Sequence, residues 1–323
     1  KKVIVSGIIF VLCCILGYSD SFAFWQNVLT YEGESIYNYL QVSENDRRVA
    51  LSTNVLFGVQ SVYMKEDGLT GMYYDYAMAA PLMVPEKNTD EMDVLILGMG
   101  TGTYATQCKK YFGNMNMEGV EIDEKITDLS RKYFSLPNNV NVTTYDGRAF
   151  LQAEQKKYDV IMVDAYQDIT IPFQMSSVEF FTMVREHLTE KGVMVVNMNM
   201  RGSGEGNINQ YLSDTISSVF GNVYTVDVNG STNRELFAST NADMMNVFQS
   251  NMQRLTDPQL QTLMRQVAEN SERYEAGNYI MTDDKAPVEL LGMRVIDQII
   301  QEEVAYYKKI YEREGIQGLL EEL

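Results

Sequence analysis

A chain of 323 residues has room for one large domain, or for a main domain with small attachments, and carries ample apolar residues for a core. Its 26 Lys and Arg stand against 44 Asp and Glu, and the resulting net charge of −18 excludes nucleic acid as a partner while remaining compatible with cationic ligands. One histidine and three cysteines, two of them adjacent at Cys13 and Cys14, exclude His/Cys metal clusters, Ser-His-Asp triads, Cys-His pairs and a disulfide framework, so a general base must be a carboxylate, a tyrosine or a lysine.

Residues 3–18 are uncharged and follow Lys1 and Lys2; with Phe22, Phe24 and Trp25 as interfacial aromatics, segment 1–25 reads as a membrane anchor, a cleaved export signal being the alternative. Short β-prone runs at 35–43, 48–53 and 58–64 predict a small antiparallel sheet within 31–88. Residues 71–85 carry Tyr73, Tyr76, Ala80 and Leu82 at helical spacing. Segment 89–245 alternates apolar strands at 94–97, 117–122, 140–145, 160–163 and 193–197 with helices after Gly102, Asp123, Gly147 and Ser177. That alternation predicts an α/β fold built on a doubly wound, mostly parallel Rossmann-like sheet buried on both faces. An antiparallel hairpin at 222–228 and 235–239, turning at Gly230, closes it. His187 complements the C-terminal end of a helix. Segment 246–323 reads as helical, with Pro258 near one helix start and an amphipathic helix at 293–311.

The run Leu97-Gly98-Met99-Gly100-Thr101-Gly102-Thr103 stands where the first of these strands turns into a helix. Glycines there allow a sharp bend and let a ligand approach free helix N–H groups. Thr103 replaces the third glycine of a dinucleotide fingerprint, which leaves the G-x-G-x-G spacing of class I S-adenosylmethionine-dependent folds. Glu121 closes the second strand, where a carboxylate can accept from both ribose hydroxyls. Asp146-Gly147 follows the third, where an acid can accept the adenine amino group, and Asp164 ends the fourth. Singly, each acid also reads as a helix cap or a solvated turn; together with the loop they converge on one nucleotide-binding crevice at the sheet's switch point.

In this order the residues resemble the spermidine synthase family, aminopropyltransferases that use decarboxylated S-adenosylmethionine, and in particular its membrane-associated bacterial relatives. The resemblance covers residues 37–199: Gln60 in Gly58-Val59-Gln60-Ser61, Tyr73-Tyr74-Asp75 ahead of Ala80-Pro81-Leu82, the glycine loop, Val120-Glu121-Ile122-Asp123, Asp146-Gly147-Arg148, and Tyr158-Asp159 leading to Val163-Asp164. It implies that Gln60, Glu121, Asp146 and Gly147 hold the nucleoside beside the loop glycines Gly98, Gly100 and Gly102, that Tyr73 and Asp75 border the amine, and that Asp164 is the catalytic acid–base group. The chemistry implied is an in-line displacement by a small cationic amine, without a metal. Tyr166, Asp168 and the acidic turn of Asp283 and Asp284 are further candidates to face cationic groups.

Two positions depart from the family's pattern. Thr101 stands where the family usually carries a loop acid, and Gln167, with Asp168 one later, where it usually carries a second acid after the catalytic one. A methyltransferase acting on an amine with ordinary S-adenosylmethionine needs the same crevice without the loop acid and is the alternative; a non-catalytic, membrane-anchored binding or assembly module is the third reading. The partners expected are an amine and, through residues 3–25, a membrane; a homo-oligomer is compatible with both. The positive-inside rule sets the domain outside the cytoplasm and cosubstrate supply sets it inside, so its side stays open.

Overall fold

In the computed structural model, which describes residues 2–17, 29–54, 58–85, 89–165, 171–199 and 204–322, the strands fall into two sheets. Strands β1 (Leu29–Glu34), β2 (Tyr39–Glu44), β3 (Arg48–Thr53) and β4 (Ser61–Met64) pair antiparallel in chain order. The strand expected over 35–43 is instead a turn followed by β2. Ser35 Oγ accepts the N–H groups of Tyr37 and Asn38, and this local closure reverses the chain before Tyr39. The single helix expected over 71–85 is two short ones, α1 (Tyr73–Ala77) and α2 (Ala79–Met83). Pro81 explains the break, because it has no N–H for the carbonyl of Ala77 and its ring clashes there; the Tyr104 hydroxyl donates to that carbonyl at 3.5 Å.

The second sheet has eight strands. Its parallel part runs, in spatial order, through β9 (Leu188–Asn199), β8 (Tyr158–Val163), β5 (Asp93–Leu97), β6 (Asn116–Glu121) and β7 (Asn141–Thr144). Antiparallel strands β11 (Asn233–Ser239), β10 (Asn222–Asp227) and β12 (Glu272–Arg273) extend it beyond β9. The crossovers are α3 (Thr103–Phe112), α4 (Glu124–Tyr133), α5 (Gly147–Ala153) and α6 (Val178–Glu186), followed by α7 (Ile208–Val219). The mostly parallel α/β sheet and the antiparallel N-terminal sheet are therefore as expected.

Both faces of the large sheet are covered, which is why its central strands read as unbroken apolar runs. Val160 and Met162 of β8 face a core shared with Tyr73, Met78 and Tyr104, while Ile161 and Val163 face Phe180, Phe181 and Leu212. Helices α8 (Met244–Met252) and α9 (Pro258–Asn270) belong to the first of these cores through Phe248 and Met264. The stretch expected to be wholly helical thus also supplies β12, and its last helix, α10 (Val288–Glu322), is longer than expected and bends at Gly315. The N-terminal sheet packs Leu40, Val42 and Leu51 on Ile126, Leu129 and Phe134, and Asp123 ties the two sheets by accepting from Ser35 Oγ and Asn38 Nδ2.

The membrane anchor expected over residues 1–25 is not supported. Residues Lys2–Leu16 form a helix with exposed apolar side chains, but 15 residues rise only about 22 Å against a hydrocarbon core of about 30 Å. Among the described residues, no helix is long and apolar enough to cross a membrane; Phe22, Phe24 and Trp25 lie outside the described residues.

Gly98 and Gly230 both have positive φ, +86° and +72°, but differ in surroundings. A Cβ on Gly98 would stand 2.3 Å from the backbone oxygen of Asp164, whereas one on Gly230 meets nothing within 4 Å. Gly230→Ala is expected to cost about 1 kcal/mol and Gly98→Ala about 3 kcal/mol or more, measured by denaturant unfolding; equal costs would contradict this packing.

Candidate active site

Connections leave β5 toward β6 on one side and reach β8 on the other, so a crevice opens at the carboxyl ends of β5, β6, β7 and β8. The loop from β5 to α3 turns through Gly98, Gly100 and Gly102, all with positive φ, which only glycine adopts without strain. Gly98 and Met99 donate their N–H groups to the Val120 carbonyl, fixing the loop against β6. Thr103 Oγ1 donates to the carbonyl of Val62 and accepts its N–H, which holds β4 over the start of α3.

Each acid at the crevice ends of β6, β7 and β8 is held by donors and not by a cation. Glu121 accepts the Gly100 N–H at 2.8 Å and the Asp123 N–H at 3.0 Å; burial raises its pKa and these bonds oppose the rise. Asp146 caps α5 by accepting from the Ala149 N–H at 2.8 Å, and it lines the crevice as well. Asp164 accepts the Tyr73 hydroxyl on Oδ2 at 2.7 Å and the Asn197 amide on Oδ1 at 2.9 Å. Burial pushes its carboxyl up to about 6, against the pull of those two donors. The Tyr73 phenol, raised well above its usual range by burial and by Asp164, is a hydrogen-bond donor at neutral pH. Its ring lies 4.0 Å from that of Tyr74, whose hydroxyl donates to the Gln60 carbonyl.

These groups enclose a cavity of about 380 Å³. Its walls carry four carboxylates, Glu121, Asp146, Asp164 and Glu289, and among the described residues no Lys, Arg or His. Gln60, Tyr73, Gly98, Gly100 and Gly147 line it with them. Gly102 does not; a Cβ there would meet Leu136 Cδ1 at 2.3 Å, so this glycine serves the fold of the loop. Asp75 is also outside it, accepting from the Gly71 N–H at 2.7 Å and from Gln107 Nε2 at 3.0 Å. Asp283 pairs with Arg148 and accepts from Ser177 Oγ, locking the acidic turn onto α5 and α6, and Asp284 is exposed; neither lines the cavity. Tyr166 and Asp168 lie outside the described residues. The sequence reading missed Glu289, which the first turn of α10 brings to the wall, and Asn197, which carries no ionisable signature. His187 ends α6 with its ring nitrogens on the carbonyls of Met183 and Glu154, as a helix-terminal residue should.

The profile of the spermine/spermidine synthase domain matches residues 73–229. A probable polyamine aminopropyl transferase of Bifidobacterium longum is 55% identical over 98% of this chain and 74% of its own length. The chain belongs to the spermine/spermidine synthase family. Solved members share the fold: a probable spermidine synthase from Corynebacterium glutamicum gives a TM-score of 0.56 at 16% identity over 77% of this chain and 96% of that one, and the spermidine synthase from Thermotoga maritima 0.56 at 20% over 72% and 79%. Membership in this aminopropyltransferase family favours aminopropyl transfer over the methyltransferase and non-catalytic readings.

Both donors on Asp164 favour its ionised form, so removing either raises its pKa. Tyr73→Phe and Asn197→Leu are each expected to move the Asp164 titration upward from about 6 by roughly one pH unit, read by carboxyl carbon NMR; an unchanged or lower value would contradict the geometry.

Proposed function

We propose that this protein transfers the aminopropyl group of decarboxylated S-adenosylmethionine to a small cationic amine, with Asp164 accepting the proton. The observation that carries the reading is the cavity: four carboxylates with no cationic side chain among the described residues, beside a glycine bend at a sheet switch point. Such a lining suits a ligand with positive charges at both its sulfur and its amine. Glu121 is assigned to the ribose hydroxyls, Asp146 and Gly147 to the adenine, and Gln60 to the same nucleoside. Gly98 and Gly100 have no Cβ to obstruct it, which fits a bulky planar base and sugar against the loop.

When bound, the cosubstrate supplies a methylene carbon made electrophilic by its neighbouring sulfonium. An amine held as ammonium has no lone pair to attack with. Asp164, ionised above about pH 6, accepts its proton; the nitrogen then bonds to that carbon as the carbon–sulfur bond breaks, and the electron pair leaves with methylthioadenosine. Tyr73 and Asn197 fix both Asp164 oxygens, so the base is oriented before the amine arrives. Thr101 is buried and its hydroxyl has no hydrogen-bond partner among the described residues. With no loop acid, the Glu289 carboxylate on the wall is assigned to the aminopropyl ammonium.

Calorimetric titration with decarboxylated S-adenosylmethionine, S-adenosylmethionine and methylthioadenosine tests the reading. The decarboxylated form and methylthioadenosine are expected to bind tighter than S-adenosylmethionine; binding of none of the three would end the proposal. Asp164→Asn should lower turnover by about 10³-fold while leaving methylthioadenosine binding intact. Asp146→Asn keeps a capping residue, so it should weaken nucleoside binding by roughly tenfold without a matching loss of thermal stability.

A further inference from the structure

We propose that Glu235, on β11, receives the distal ammonium of the amine substrate; this rests on the aminopropyl-transfer reading above. Glu235 is fully buried, and neither of its carboxylate oxygens has a hydrogen-bond partner among the described residues. Other buried acids are anchored: Asp75 by Gly71 and Gln107, Glu121 by Gly100 and Asp123, Asp214 by Tyr274 and two backbone N–H groups. An unanchored buried carboxyl costs the fold stability in either form, lacking a counter-charge when ionised and donors when neutral. A leucine there would cost less, so packing does not account for a glutamate.

Its position does. The antiparallel register sets Glu235 directly opposite Asn197, and Asn197 donates to Asp164. Asp164, Asn197 and Glu235 therefore form a row on one face of the sheet, running from the end of β8 across β9 to β11. Adjacent strands stand about 4.8 Å apart, so the backbones at the ends of this row are about 10 Å apart, a separation on the scale of an aliphatic diamine. Burial and the charge of Asp164 push the Glu235 carboxyl well above the usual carboxylate range. An ammonium group brings the missing counter-charge and donors together. Glu235 does not line the cavity in this structure; the distal end of the amine reaches it past Asn197 while Tyr73 stays bonded to Asp164.

The row predicts which amines need Glu235. Affinities of wild type and Glu235→Gln are compared for linear diamines, as substrates, and for linear monoamines of equal length, as competing ligands, with thermal unfolding and methylthioadenosine binding as controls for the fold. Glu235→Gln is expected to raise the diamine KM roughly tenfold or more while leaving the monoamine constant and the methylthioadenosine affinity within about twofold. Should this variant fail to fold, Glu235→Asp serves instead: it keeps the charge but shortens its reach, and should raise the diamine KM selectively and by less. Equal changes for both amine classes, or none, overturn the role of Glu235 while leaving aminopropyl transfer intact. Failure of the wild type to transfer an aminopropyl group to any diamine would instead remove the functional reading, and this inference with it.

Discussion

Where β5 ends, Gly98 lies against the backbone of Asp164 so closely that a Cβ would fall inside the van der Waals shell of the carbonyl oxygen. The Asp164 N–H donates to the Leu97 carbonyl at 2.8 Å, the last bond between β5 and β8. Loop and acid are thus one construction. The glycine bend is positioned by the strand that delivers Asp164, and neither can shift without the other. Gly98 and Met99 are held on the opposite side by the Val120 carbonyl, one residue before Glu121. Three adjacent strand ends are consequently registered to one another by backbone alone, before any side chain acts.

Upon that frame the charge is deliberately left open. Near the amino ends of β5 and β6, Lys156 bridges Asp93 at 2.9 Å and Glu118 at 2.6 Å, the ordinary way a protein neutralises neighbouring acids. At the carboxyl ends, N–H and O–H groups take that place: Gly100 and Asp123 for Glu121, Ala149 for Asp146, Tyr73 and Asn197 for Asp164. Such donors orient a carboxylate without cancelling its charge, and the cavity remains a well of negative potential suited to cationic ligands.

What could be read from residues alone follows the same division. Unbroken apolar runs such as Val160 to Val163 signalled buried parallel strands, and Asp123 and Ser177 marked helix starts that they do cap. Strand β1, with Glu32, Gly33 and Glu34 on a half-exposed edge, carries no such pattern and was missed; β12 is two exposed residues whose pairing comes entirely from β10. Acids on strand ends were legible because the sheet dictates where they point. Asp75, Asp283 and Asp284 were misplaced because turns and short helices have no comparable rule, and Glu289 and Asn197 reach the site only through packing of distant segments.

Asp75 shows how such a residue still matters. Its carboxylate holds the Gly71 N–H at the entry of α1 and the Gln107 amide on α3, so it fixes a helix only five residues long that has little stability of its own. Tyr73 lies two residues before it and bonds to Asp164. On the other side, Asn197 sits on β9, the boundary between parallel and antiparallel halves of the sheet, and accepts from Asn233 Nδ2 at 2.9 Å. Asp164 is therefore aligned by two arms from outside the glycine-loop unit: one through Asp75 and a proline-broken helix, the other through the closing hairpin. The glycine bend and the Glu121 and Asp146 carboxylates belong to the parallel strand ends, whereas the setting of Asp164 depends on the additions around them.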